Sequence, residues 1–152
     1  MNNVAQVCDA VKKRIVPSER IRNSVQARAE EIRIAVEREC EKAGLSAEVH
    51  LHGSVAKDTW IPDYVDADIF MRVSPELTKT QLRNVCLPIA RRALRPHKIV
   101  ERFAEHPYVE SVVKFQGGSL RVNVVPCYSV EKGQWPAQQT EPHTIRSMFV
   151  LT

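Results

Sequence analysis

Near Gly44 the spacing of apolar residues switches from three and four to two, so the chain has to combine helices with a sheet. Before the switch, Val4, Val7, Val11 and Ile15 recur at helical intervals over residues 3 to 16. Ile21, Val25, Ile32, Val36 and Cys40 then mark one stripe of a longer helix. Pro17-Ser18 separates the two, and Ser18 is suited to cap the second by accepting from the free N–H groups of its first turn. Gly44 supplies the stop. After the switch, Glu48-Val49-His50-Leu51-His52 alternates as a strand with one buried face does. Residues 67–73 predict a second strand. Leu82, Val85, Ile89 and Leu94 predict a helix with a basic end. Residues 99–103, 108–115 and 120–125 are rich in β-formers; a turn at Gln116-Gly117-Gly118-Ser119 joins the last two, and Pro126 is expected to close the last. Two helices followed by strands broken by one helix is the order of an α+β domain, a mixed or antiparallel sheet backed by helices.

At 152 residues the chain fits one domain with a workable core, and its 43% hydrophobic and 26% charged content is that of an ordinary globular protein. No apolar run approaches the roughly 18 residues a membrane span needs, and the first residues lack a signal-peptide core, which predicts an intracellular, cytoplasmic protein with no membrane partner. Cys8, Cys40, Cys86 and Cys127 are too scattered for a zinc site or a disulfide framework; three of them sit at apolar positions as small core residues. The net charge of +4 suits a polyanionic partner without requiring one. There is no internal repeat. Beyond Tyr128 the composition loosens, and the chain ends in an apolar stretch, IRSMFVLT, that predicts either a continuation or a covering partner, a second copy or another subunit. The expected division is therefore a domain over 1–130 and the start of a downstream region, or a tail, over 131–152.

The chemistry is concentrated in two short segments. Asp66 and Asp68 are two apart on a predicted strand and so point to one face. Two carboxylates that close are unfavourable unless a cation lies between them, and magnesium accepts carboxylate oxygens while leaving positions open for phosphate and water. Upstream, Gly53-Ser54 follows a strand and opens a predicted short helix, where small residues let backbone N–H groups approach a phosphate. Each feature alone is more often a solvated edge or an ordinary turn. Together, with eleven residues between Ser54 and Asp66, they match the nucleotidyltransferase signature hG[GS]…DhDh.

The likeness extends further. The runs GSVAKDTW (53–60), ERFAEHPYV (101–109) and VVPCY (124–128), the Asp66/Asp68 strand, and IVPSE (15–19) leading into a charged helix resemble the catalytic head of class I, archaeal-type CCA-adding enzymes over nearly all of residues 4–130. This resemblance implies a polymerase-β-like nucleotidyltransferase fold. It implies that Gly53 and Ser54 cradle a triphosphate, that Lys57 stands where the family has an arginine, and that Asp66 and Asp68 hold magnesium. It also sets His106 near the nucleotide pocket; the competing reading is a loop residue fixed by Pro107. In the same family a third carboxylate lies on the neighbouring strand, where this chain has Asn123. Asparagine offers a neutral oxygen and no useful base, so the resemblance implies weak or absent catalysis, whether Asn123 is an engineered change or belongs to a natural paralogue.

The expected activity is thus two-metal addition of CMP and AMP from CTP and ATP to an RNA, tRNA-like 3′ end. Two alternatives are an oligoadenylate-synthase-like transferase and a non-catalytic nucleotide- or RNA-binding regulatory module. The basic cluster Arg91, Arg92, Arg95, His97 and Lys98 reads better as a solvated helix end than as an RNA contact. Trp60 is expected to pack beneath the glycine-serine turn.

Overall fold

The computed structural model describes residues 3–103, 107–130 and 149–151. His106 lies outside them.

Helix α1 spans Asn3–Ile15 and α2 Glu19–Lys42. Ser18, extended at φ −64° and ψ 154°, accepts from the Ile21 N–H at 3.4 Å and so caps α2. The stripe Val25, Ala29, Ile32, Val36 and Cys40 is buried along the whole helix. At its end Gly44 takes φ +65°, and the Leu45 N–H returns to the Cys40 carbonyl at 3.0 Å. A left-handed residue is what lets the chain close a helix in this way. By contrast α1 forms as its spacing predicts but buries none of its apolar stripe against the described residues: Val4, Val7, Val11 and Ile15 are 75%, 55%, 45% and 45% exposed.

Strand β1 (Ala47–His52) runs into the one-turn helix α3 (Gly53–Lys57), then β2 (Asp66–Val73), α4 (Lys79–Ala93), β3 (Ile99–Phe103), β4 (Pro107–Phe115), β5 (Gly118–Val130) and β6 (Phe149–Leu151). Helix α4 starts on a capping box between Thr78 and Gln81 and carries Pro88 in its interior. Its buried side is Leu82, Cys86, Leu87, Ile89, Ala90 and Ala93, with Val85 turned towards solvent. The sheet order is β1-β2-β5-β4-β3, with β6 alongside the end of β5. β1–β2, β4–β5 and β3–β4 are antiparallel; β2–β5 and β5–β6 are parallel. The sheet is mixed and the fold α+β.

Pro126 does not close its strand. β5 runs on to Val130, still paired with β2 through Met71↔Pro126 and Val73↔Tyr128. β4 has left β5 after Val124, and β6 joins only at Tyr128, so Pro126 falls where one side of the strand has no neighbour among the described residues. A residue without an N–H is tolerated at such an edge.

Alternation then divides the sheet. Ala67, Ile69, Met71 and Val73 of β2, with Leu120, Val122 and Val124 of β5 and Val109 and Val113 of β4, are buried beneath α2 and α4. The intervening residues of β2 and of the first half of β5, Asp66, Asp68, Phe70, Arg121 and Asn123, occupy the opposite face. Cys40, Cys86 and Cys127 are buried and Cys8 is exposed. Burial pushes the Cys86 and Cys127 thiols up to about 12, which leaves them small inert core residues.

Candidate active site

The β1–α3 junction is fixed by backbone geometry and by α2. Gly53 adopts φ +73°, a conformation that favours glycine, and a Cβ there would collide with the Asp68 carboxylate oxygen Oδ2. The turn therefore lies directly on the Asp68 side chain. Ser54 Oγ donates to the Asp66 carbonyl at 3.5 Å. From the other side, Gln26 Nε2 donates to the Val55 carbonyl at 2.6 Å, and Arg22 pairs with Asp58, the left-handed residue that ends α3, at 3.1 Å. Val55 and Trp60 are buried below the turn, as expected for Trp60. Lys57 is exposed at the end of α3.

Across the open face one row of the register reads His52↔Asp68↔Asn123↔Glu110, and the next reads Asp66↔Arg121↔Val112. The rows bring together Gly53, Ser54, Asp66, Asp68 and Asn123. Both carboxylates already have partners on β5. Asn123 Nδ2 donates to Asp68 Oδ1 at 2.9 Å, and Arg121 Nε lies 3.6 Å from Asp66 Oδ1. A guanidinium and an amide, delivered by the parallel neighbour β5, offset part of the repulsion between the two carboxylates. Asn123 presents its N–H side to Asp68, while its own Oδ1 is buried without a hydrogen-bond partner among the described residues.

Three neighbours escape a reading of the chain segment by segment. Glu110 faces Asn123 from β4, yet Arg102 holds it at 2.9 Å, and that hydrogen bond, with the charges of Arg102 and Arg121, keeps its carboxyl below the usual range. His52 stands edge-on to Phe70 at 4.9 Å, with Nε2 buried and without a hydrogen-bond partner among the described residues; burial, then the charges of His50 and Arg72, hold its ring below the ordinary histidine range. Arg121 is the third. Strand alternation counted back from the Gly117-Gly118 turn puts Arg121 and Asn123 on one face, but only the β2–β5 pairing sets them against the two aspartates.

Among the described residues no group of three or more His, Cys, Asp or Glu could hold a metal ion. Asp66 and Asp68 alone suit a magnesium ion whose other ligands are phosphate oxygens and water, the usual manner of that ion. The close seating of the Gly53 turn on Asp68 fits such shared ligation, because it leaves backbone rather than side chain beside the carboxylate. The basic cluster behaves as an ion-paired helix end: Arg91 pairs with Glu101, and Arg92 with Glu39 at 2.9 Å.

The nucleotidyltransferase domain family matches residues 32–147, more than half the chain and all of the strands that carry the aspartates and Asn123. The chain belongs to the nucleotidyltransferase domain family. This domain is 31% identical over 145 residues to the CCA-adding enzyme of Methanopyrus kandleri, covering 93% of the chain and 30% of that protein. It is 36% identical over 133 residues to the enzyme of Thermococcus gammatolerans, with 86% and 28% covered. Against the enzyme of Pyrobaculum aerophilum it is 26% identical over 150 residues, with 99% and 35% covered. The chain thus spans about a third of the length of these curated relatives. The solved structure of E. coli MS115-1 CdnC with ATP superposes at a TM-score of 0.57 and 16% identity, covering 85% of this chain and 42% of that chain, a likeness of fold alone. No helix among the described residues is long and apolar enough to cross a membrane.

Proposed function

We propose that the chain is the head of a CCA-adding-type nucleotidyltransferase, acting on CTP and ATP and on an RNA 3′ end of the tRNA kind. The observation that carries this reading is the seating of the Gly53-Ser54 turn against Asp68, with Asp66 on the same open face. In this reading the turn's backbone N–H groups hold the β- and γ-phosphates, with Lys57 and His106 on the nucleotide. The RNA 3′-hydroxyl attacks the α-phosphorus in line and pyrophosphate leaves. Asp66 and Asp68 would hold magnesium together with the nucleotide, and the ion when bound would neutralise charge on the transferring group. Residues 1–130 form the head and 131–152 begin a further region or tail. The setting is cytoplasmic, with a second copy or another subunit as the covering partner.

A second reading has its own support. Asn123 donates to Asp68 and Arg121 pairs with Asp66, so the carboxylates are compensated before any metal arrives. That favours weak turnover, or a nucleotide- or RNA-binding regulatory role without turnover. Calorimetric titration of CTP and ATP, with and without magnesium, on the chain and on Asn123→Asp separates the readings. Magnesium-dependent binding that strengthens in Asn123→Asp, followed by CMP or AMP incorporation into RNA, is the expected result for a transferase. Nucleotide binding that magnesium and position 123 leave unchanged supports the binding module. An oligoadenylate-synthase-like activity would show instead as oligonucleotide made from ATP without an RNA acceptor.

A further inference from the structure

Arg121 is fixed beside Asp66 by backbone pairing. Its N–H donates to the Val65 carbonyl at 3.0 Å, and the parallel register sets Arg121 opposite Asp66, so that Nε reaches Oδ1 at 3.6 Å. Both side chains remain accessible, at 50% and 41% relative exposure. Glu110, two strands from Asp68 on the same face, already takes Arg102 at 2.9 Å. A divalent ion ligated by Asp66 and Asp68 would therefore meet a guanidinium already at one of its two ligands. Its entry must break that pair or stand beside a like charge, and either lowers its affinity.

We propose that Arg121 is a built-in counter-cation for Asp66 that competes with a divalent metal ion and so sets how weakly the site takes the free ion. The inference rests on the reading of Asp66 and Asp68 as the metal-binding pair. Removing the guanidinium frees Asp66 and strengthens binding of the free ion. The pair is solvent-accessible, so the gain is about twofold to fivefold, the range an exposed ion pair commands.

The test is Mn2+ binding by the full chain, without nucleotide, followed by loss of the free-ion electron paramagnetic resonance signal. Arg121→Gln should bind Mn2+ about twofold to fivefold more tightly, and Arg121→Lys should stay near the starting affinity because it keeps the charge. The gain should vanish when Arg121→Gln is combined with Asp66→Asn. Lys114→Gln removes an exposed charge from β4 and should give no comparable gain. If Asp68→Asn weakens Mn2+ binding while Arg121→Gln changes nothing, the competition is refuted and the carboxylate pair stands. Equal gains from Arg121→Gln and Lys114→Gln would refute it too, since the effect would then be general charge. Should Asp66→Asn and Asp68→Asn leave Mn2+ binding untouched, the metal-site reading falls and this inference with it.

Discussion

Asn123 joins β5 to Asp68 of β2 through its side-chain amide. An aspartate would fill the same space but place a second negative oxygen against Asp68, where the amide now donates at 2.9 Å. Like charges at that separation repel unless a cation joins them. Asn123→Asp should therefore lower the stability of the metal-free chain by about 1–2 kcal/mol, the order of a lost hydrogen bond to a charged group. Millimolar magnesium or manganese should recover part of that loss. Urea denaturation in chelator and in metal checks both halves; a variant as stable as the parent in chelator would show that the hydrogen bond contributes nothing.

At the scale of elements, the short helix α3 is too small to hold its own orientation, since one turn seldom forms alone. Its position comes from α2: Gln26 binds the Val55 carbonyl, Arg22 binds Asp58, and Val55 is fully buried. Gln26 sits on the flank of the buried stripe, facing the turn it steadies. Gln26→Ala should cost about 1 kcal/mol of stability, as one hydrogen bond does. It should weaken nucleotide binding beyond that modest loss of folding, while the helical circular dichroism stays unchanged. Calorimetry with CTP and a urea melt on the same variant check it; unaltered nucleotide affinity would mean that α3 keeps its place without α2.

For the whole molecule, the core lies between the sheet and the pair α2 and α4, and α1 stands outside it with no buried residue. Stability follows buried apolar surface, and α1 buries little of it. A chain beginning at Pro17 should unfold within about 0.5 kcal/mol of the parent, with an unchanged urea dependence, as expected when little surface is lost. A clear drop in the urea midpoint would show that α1 is covered in solution, by another part of the chain or by a second copy.

The periods of three and four and then two, the capping serine at 18, the stop at Gly44 and the Gly53-Ser54 turn before Asp66 and Asp68 are local signals. Local sterics and hydrogen bonds decide them, so the amino-acid order alone was sufficient to set the first two helices, strand β1 and the side of β2 on which the aspartates lie. Strand pairing is not local. That β2 lies parallel to β5, so that Arg121 meets Asp66 and Asn123 meets Asp68 across 55 residues, depends on which edges the packed core leaves free. The same pairing carries β5 through Pro126, where β4 no longer pairs with β5 and, among the described residues, that side of the strand has no neighbour. Helical spacing also could not decide whether an apolar stripe is covered: α1 and α2 both have one, and only tertiary packing buries that of α2.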